Sequence, residues 1–250
     1  MTTDLFPSVV ETDRLRLVAT SPASVDVHEA YRIAAHDEGI DEVARYVPWE
    51  PHDHPKETLE FLRREAEAHG AGESANYAIR VREDGGDGTG ASVDEEARDV
   101  GGGDRAAGGD DEDDGDGGIG TDDPLLAGFC GLTVDWDRRR GELGIWLRER
   151  FWGRGYSGER ALALLDLAFE VLDLEVVAIP VHVDNENSRR AVARYVDRVG
   201  GRRAGPFRHA AVHADGTVVD RVRFSVGRDD YLDADVEPGV SFRWDDAPGE

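Results

Sequence analysis

Residues 141–162 read GELGIWLRERFWGRGYSGERAL, and this stretch decides the fold. Its first seven residues predict a β-strand, and FWGRGYSGE forms a glycine-rich turn. The segment that follows predicts a helix, because Leu162, Leu165, Phe169 and Leu172 recur at helical spacing. A strand, a glycine turn and a helix N-terminus together favour a pyrophosphate site, since backbone amides can approach the ligand there.

Strands and helices alternate on both sides of this unit, which predicts a single mixed α/β domain. A strand at 14–20 precedes a helix that opens with a cap at Ser21 and Pro22, and a second helix runs from Pro55 to His69. The remaining predicted elements are two hairpin strands at 75–83 and 124–136, a strand at 175–183, a helix at 184–199, and a closing hairpin that turns at Asp215 and Gly216.

Pro180 interrupts the predicted strand at 175–183. A proline has no amide proton, so it cannot sit in a central strand that is paired along both edges. We therefore expect one side of this strand to lack a partner.

The segment between the two hairpin strands has a composition of its own. Residues 83–123 contain 16 acidic residues, two arginines and 13 glycines. Such a segment cannot bury a core, and we interpret it as a disordered insert at a hairpin tip. The predicted organisation is one domain over 11–228, interrupted at 84–123 and followed by a loose acidic tail over 229–250.

The whole chain has a formal charge of −25, which disfavours nucleic acid and anionic membranes as partners. Lys56 is the only lysine among 29 basic residues, and we interpret this acidic, arginine-retaining composition as that of a halophile's protein or, alternatively, of an ordinary acidic protein. Cys130 is the single cysteine, and no apolar stretch of about 18 residues occurs. We expect a soluble, cytoplasmic protein.

The glycines of the turn allow a second interpretation. Gly153, Gly155 and Gly158 fit the dinucleotide fingerprint G-x-G-x-x-G, and Glu175 follows at the distance of a ribose-binding acid. A dinucleotide fold would require more strand–helix crossovers than the few elements after residue 200 provide. A dinucleotide-dependent oxidoreductase remains an alternative.

Three segments together resemble one known superfamily. They are ETDRLRL at 11–17, the quoted stretch at 141–162, and VDNENS at 183–188. In this order they resemble the GCN5-related N-acetyltransferase (GNAT) superfamily, and most of all its RimJ/RimL-like branch, which acetylates the N-termini of ribosomal proteins. The resemblance implies a mixed, mostly antiparallel sheet with splayed central strands and flanking helices, and acetyl-CoA as co-substrate.

The resemblance also implies which residues hold acetyl-CoA. The family's pyrophosphate pattern fits from Arg150 or from Trp152, and we prefer the second register because it keeps W-G-x-G-Y. The pantetheine arm would lie between the splayed strands, next to Asn185 and Ser188, and a backbone amide near Trp146 or Leu147 would hold the thioester carbonyl. The pyrophosphate residues implied are Trp152, Gly153, Arg154, Gly155, Tyr156, Ser157 and Gly158.

Acetyl transfer to an amine needs a base and a proton for the leaving thiolate. Glu142 is the candidate base, because strand alternation points it away from Leu143 and Ile145, although a surface carboxylate is the alternative. Tyr195 is the candidate acid, but it follows Asn185 by ten residues where the family spaces them by seven.

A metal site is not predicted. His52, Asp53 and His54 supply no third spaced ligand, and we interpret them as part of a loop on the substrate side.

The predicted function is acetyl transfer from acetyl-CoA to a primary amine, chiefly the α-amine of a protein N-terminus. The alternatives are a small-molecule amine as acceptor and a catalytically silent acyl-CoA-binding module. We expect acetyl-CoA and the acceptor as partners, and a monomer or a homodimer.

Overall fold

The computed structural model describes residues 4–82, 124–213 and 215–244. The predicted disordered insert at 84–123 lies outside the described residues, so its state stays a prediction. The described residues on either side of it form one compact unit.

The strands of the described chain are β1 (Val9–Glu11), β2 (Leu15–Ala19), β3 (Ser74–Val81), β4 (Leu125–Asp135), β5 (Arg140–Leu147), β6 (Val176–His182), β7 (Arg202–Val212), β8 (Val218–Gly227) and β9 (Ser241–Arg243). The helices are α1 (Val27–Ala35), α2 (Ile40–Ala44), α3 (Pro55–Gly70), α4 (Tyr156–Asp166), α5 (Glu186–Arg198) and α6 (Arg228–Asp233). A 3₁₀ turn at Glu149–Phe151 precedes α4, and a π-helical turn at Leu167–Val171 continues it.

These strands form one sheet in the order β7-β8-β6-β5-β4-β3-β2-β1-β9. The neighbours are antiparallel, except that β5 and β6 run parallel. Helices α4 and α5 pack on one face, over the larger buried cluster, and α1 and α3 pack on the other, over β3 and β4. This arrangement confirms the predicted mixed, mostly antiparallel sheet with helices on its flanks.

The two parallel strands separate soon after they meet. Pairing joins Arg140–Glu142 to Val176–Ala178 and then stops, so residues 143–147 of β5 have no partner on β6. Strand β6 stays paired with β8 along its whole length, and Pro180 lies opposite Arg223. The expectation that Pro180 lies in a strand with one side unpaired is confirmed, and we call the opening between β5 and β6 the splay.

The first helix begins later than predicted. A cap at Ser21 and Pro22 is wrong, because Ser21 and Ser24 instead close a hydrogen-bonded turn in which Ser24 Oγ donates to the carbonyl of Ala19 at 2.5 Å. The observed N-cap is Asp26, whose side chain accepts a hydrogen bond from the Glu29 amide at 2.8 Å.

The prediction of a loose tail over 229–250 is also wrong for its described part. Tyr231 of α6 is buried against Phe169, and its hydroxyl donates to Asp166 at 3.2 Å. Strand β9 pairs with β1 at the sheet edge. The folded elements therefore extend from Val9 to Arg243, beyond the predicted limits of 11–228. The short elements of this segment are fixed by tertiary contacts, which leave little periodicity in the sequence.

Candidate active site

The turn between β5 and α4 is tied to the end of the strand. Trp152 is half-buried, and its Nε1 donates to the carbonyl of Leu147 at 2.8 Å. Gly153 and Gly155 have φ values of +74° and +82°, a region that other residues enter only with strain. Of the three glycines of this turn that the sequence singles out, these two therefore serve its backbone path.

Helix α4 begins at Tyr156 without a side-chain cap, because its N-cap is Gly155. The amides of Tyr156 and Ser157 have no acceptor within the helix, whereas the amide of Gly158 donates to the Gly155 carbonyl at 3.0 Å. Arg154 is exposed next to them. The helix dipole adds partial positive charge, so this end of α4 fits a phosphate group. Among the predicted contacts, the Gly158 amide is already used by the helix.

A second segment holds this turn in place. The Glu159 carboxylate accepts hydrogen bonds from Thr12 Oγ1 at 2.6 Å and from the Arg14 amide and Nε at 2.9 and 2.7 Å. Arg14 also donates to the Arg154 carbonyl at 3.0 Å and lies over the Tyr156 ring. The motif at 11–17 thus anchors the turn between β5 and α4, a role that sequence reasoning missed. The signal that could have indicated this role was the occurrence of the 11–17 motif together with the other two motifs in one chain.

The residues at the open half of β5 have distinct environments. Leu147 is buried in the core, whereas the Trp146 ring packs against Trp49 and Phe129 with centroid distances of 5.1 and 5.5 Å. The Gly144 carbonyl accepts a long hydrogen bond of 3.5 Å from Nη1 of Arg160. Since residues 143–147 lack a β6 partner, this stretch offers backbone groups to a ligand in the splay.

Arg160 and Tyr195 lie under the splayed strands on the α4 and α5 side. They are 1% and 4% exposed, and Arg160 Nε and the Tyr195 hydroxyl have no hydrogen-bond partner among the described residues. Burial raises the pKa of Tyr195 to about 12, although the nearby Arg160 charge opposes the shift. Sequence reasoning missed Arg160, because an arginine in a predicted amphipathic helix is usually exposed.

Glu142 projects from the other face of the sheet. Its neighbour Leu143 is buried in the same core as Tyr195, and side chains alternate along a strand. The Glu142 side chain is 40% exposed and pairs with Arg140 at 2.8 Å. The structure therefore does not bring the candidate base and the candidate acid Tyr195 into contact, and each role stays a prediction.

Asn185 caps helix α5. Its Oδ1 accepts a hydrogen bond from the Ser188 amide at 2.9 Å. The structure thus contains the ordinary helix cap that the motif also allows, and a contact of Asn185 or Ser188 with pantetheine stays a prediction.

An apolar cavity of about 220 Å³ lies between α1, α3 and the sheet. Trp49, Phe61, Phe129 and Trp146 line it together with His52, whose Nδ1 lies 2.7 Å from Thr58 Oγ1. Burial lowers the pKa of His52. His52 and His54 have different partners, because His52 contacts Thr58 whereas His54 lies 3.6 Å from the Glu57 carboxylate.

Two further findings concern the described residues as a set. In residues 4–82, 124–213 and 215–244, no three histidine, cysteine, aspartate or glutamate side chains are grouped closely enough to hold a metal ion. No helix in this described part has the length and apolar character that crossing a membrane requires.

Comparison with known proteins shows a similarity to one family over part of the chain. A family model described as "Acetyltransferase (GNAT) domain" matches residues 104–195, which include β5, the glycine turn, α4 and the start of α5 up to Tyr195. Over this segment the chain is similar to the GNAT superfamily. The match includes the motifs at 141–162 and 183–188 and confirms the resemblance to this superfamily, while the motif at 11–17 lies outside it. GNAT folds share the chain's sheet of mostly antiparallel strands.

Relatives of this chain include the "Putative ribosomal N-acetyltransferase YdaF" of Bacillus subtilis (strain 168), which is 32% identical over 105 residues. That match covers 42% of this chain and 55% of the relative, so the chain spans about half of the length of the curated relative. Solved structures that share the fold include the two described next.

The first of these is a ribosomal-protein-S5-alanine acetyltransferase from Vibrio fischeri, with a TM-score of 0.61 and 13% identity, covering 89% of this chain and 98% of that one. The second is the microcin C7 self immunity acetyltransferase MccE, solved in complex with acetyl-CoA and AMP. It has a TM-score of 0.64 and 14% identity, covering 90% of this chain and 99% of that one.

Proposed function

We propose that this GNAT protein transfers an acetyl group from acetyl-CoA to the α-amine at a protein N-terminus. The observation that carries the proposal is the uncapped N-terminus of α4, which lies beyond two positive-φ glycines at the end of the splayed strand β5. A phosphate site next to an opening between two strands fits a long ligand that has a pyrophosphate at one end and an extended arm.

The residues of the turn would bind the pyrophosphate. The amides of Tyr156 and Ser157 lack intrahelical acceptors, and the exposed Arg154 adds a full positive charge. In the splay, backbone groups of residues 143–147 would bind the pantetheine arm, and the Asn185 side-chain amide is the candidate side-chain contact. The Leu147 amide is the candidate donor to the thioester carbonyl, because Trp146 continues the hydrogen-bonded pairing with β4 while the Leu147 backbone points away from it.

Glu142 is the candidate general base. Its carboxylate pairs with Arg140 at 2.8 Å and is 40% exposed, so a water molecule can reach it and relay a proton from the amine. An α-amine has a pKa of about 7.7, so a carboxylate is basic enough when the free amine is already populated. The amine nitrogen forms a bond to the acetyl carbon, and the carbon–sulfur bond breaks.

Tyr195 is the candidate acid for the leaving thiolate. Its raised pKa of about 12 keeps the hydroxyl protonated at neutral pH, and the hydroxyl has no other partner among the described residues. Tyr195 lies on the face of the sheet opposite Glu142. The thiolate would therefore receive its proton from the α4 and α5 side of the splay, while the amine loses its proton on the other side.

The relative named as a ribosomal N-acetyltransferase supports a protein N-terminus as acceptor. A small-molecule amine is the second candidate, because the fold also occurs in MccE, a self immunity acetyltransferase that was solved with AMP. A silent acyl-CoA-binding module would keep the turn and the splay but would not use Glu142.

Glu142→Gln tests the proposal. We expect kcat/KM on peptide N-termini to fall by about 100-fold, as for loss of a general base, while the Kd of acetyl-CoA changes by less than about twofold. Glu175→Gln is the matched control, because Glu175 also forms a glutamate–arginine pair, with Arg139 at 2.6 Å, away from the turn. Mass spectrometry of the peptides and isothermal titration supply the two measurements.

Different results would contradict different parts of the proposal. A wild-type protein that binds acetyl-CoA and acetylates no member of a peptide and amine panel would be a binding module. Full activity in Glu142→Gln would reject the base. Thermal stabilisation by NAD and its loss in Glu175→Gln would instead favour a dinucleotide enzyme.

A further inference from the structure

Basic side chains gather on one face of the sheet beside Glu142. Arg221 and Arg223 of β8 lie opposite His182 and Pro180 of β6, and directly opposed residues of an antiparallel pair share a face. Arg221, Arg223, Pro180 and Phe207 surround a cavity of about 70 Å³, into which Glu142 also extends. We call this cavity the basic groove. Its two arginines stand out in a chain with a formal charge of −25.

The two arginines have no acidic partner among the described residues. The ion pairs near the groove in the described residues are Arg140–Glu142, His182–Asp184 and Arg202–Asp230, and none includes Arg221 or Arg223. Acidic side chains nevertheless outnumber basic ones almost two to one in the sequence. Arg223 Nε is buried without a hydrogen-bond partner, and its guanidinium lies 4.5 Å over the Phe207 ring. A buried donor without a partner costs free energy, and that cost is recovered when a ligand supplies the acceptor.

The carboxylate in the groove does not neutralise these arginines. Glu142 pairs with Arg140 of the same strand at 2.8 Å, so this carboxylate already has a cationic partner. At the outer end, the charge of Arg221 contributes to lowering the pKa of His182, which burial lowers first, and Asp184 beside His182 is largely exposed. The groove therefore presents net positive charge at the candidate base.

Resting on the proposed function, we infer that the basic groove binds an acidic side chain near the N-terminus of the acceptor peptide. The α-amine must reach Glu142, which borders the same cavity, and successive residues of an extended chain advance by about 3.5 Å. A side chain one or two positions after the amine would therefore reach Arg221 and Arg223. Arginine is suited to this task, because its planar donors match a carboxylate in pairs.

The experiment compares two peptides that differ in one group, Ser-Glu-Ala-Ala-Tyr-amide and Ser-Gln-Ala-Ala-Tyr-amide. We expect the glutamate peptide to bind at least about tenfold more tightly by isothermal titration in the presence of CoA. In Arg223→Gln and Arg221→Gln the ratio of the two Kd values should fall below about two. Potassium chloride should reduce the ratio in the wild type, because salt screens exposed charge pairs.

Arg198→Gln is the matched control for the two variants. Arg198 is exposed in the last turn of α5, which packs on the opposite face of the sheet. This variant removes the same charge from the protein and should keep the full preference for the glutamate peptide. Thermal melts of all three variants verify that each is folded.

Binding is measured separately from acetyl transfer, so the two proposals fail separately. Equal affinity for the two peptides, no binding of either, or a preference that survives Arg221→Gln together with Arg223→Gln would overturn the groove assignment. If free glutamate binds as tightly as the glutamate peptide, the groove is a site for the amino acid, and the peptide is overturned as the occupant of the groove. A preference for the glutamate peptide without any acetylated product would overturn the proposed function and leave the groove assignment standing.

Discussion

At the scale of single residues, Gly155 combines two roles. Its φ of +82° lets the chain turn into α4, and its missing side chain leaves the first amides of the helix uncovered. A side chain in this region of φ costs about 1–2 kcal/mol. The loss of stability and any loss of ligand binding can be separated by substituting a second glycine that has a positive φ but lies away from the first amides of α4.

We expect Gly155→Val to weaken acetyl-CoA binding by more than about tenfold, which corresponds to about 1.4 kcal/mol. A branched side chain would stand beside the amides of Tyr156 and Ser157 and next to Arg14, whose guanidinium would lie 3.4 Å from the added Cβ. Isothermal titration measures the affinity, and a thermal melt measures the loss of stability from the strained backbone.

Gly205→Val is the control for this prediction. Gly205 lies in β7 with a φ of +98° and open space around its Cβ position, so it carries the strain without the phosphate site. Both variants should lose stability, and only Gly155→Val should lose affinity. Unchanged affinity in Gly155→Val would remove the assignment of this turn to CoA.

At the scale of elements, the β3–β4 hairpin brings together the two ends of the acidic segment. Val81 and Leu125 are directly opposed in the ladder, so the chain leaves and re-enters the sheet at adjacent positions. Few residues are needed to join them, and loop-closure entropy grows slowly with loop length.

Deletion of residues 84–122 is therefore expected to keep the fold. The melting temperature should change by less than about 3 °C and the Kd of acetyl-CoA by less than about twofold, since four residues remain to join the strands, within the usual range for hairpin loops. Calorimetry and titration check the two values. A deleted protein without a cooperative transition would show that this segment is part of the folded structure.

The elements differ in how well the sequence predicted them. Strands and long helices were predictable, because their periodicity is local, and Pro180 even indicated the unpaired side of β6. Strand β9 was not predictable, since its three residues depend on β1, more than 200 positions earlier.

The candidate site divides in the same way. The glycine turn was visible as a local pattern, and its positive φ values agree with the choice of glycine. The contact of Arg14 with Glu159 joins residues 145 positions apart, and the burial of Arg160 depends on how α4 meets the sheet. Such contacts are set by tertiary structure, which no local pattern records.

At the scale of the whole molecule, the charge of −25 sets the electrostatics. Like charges on a compact chain repel one another, and mobile salt ions screen that repulsion. We expect the free energy of unfolding to rise as potassium chloride is raised from 0.1 to about 2 M, measured by chemical denaturation at each salt concentration.

The deletion of residues 84–122 gives a comparison for this prediction. That segment holds about half of the excess negative charge, so its removal should reduce the dependence of stability on salt. Stability that stays constant or falls with salt in the full chain would contradict the interpretation of the composition as halophilic.

The buried Cys130 has a practical consequence for spectroscopy. It is the single cysteine of the chain, it lies inside β4, and burial raises the pKa of its thiol to about 12. Reagents that label cysteine attack the thiolate, so the folded protein should be almost inert toward them. A fluorophore or spin label can therefore be attached at one introduced surface cysteine without first replacing the native one, and slow reaction of Cys130 itself would report how often β4 opens.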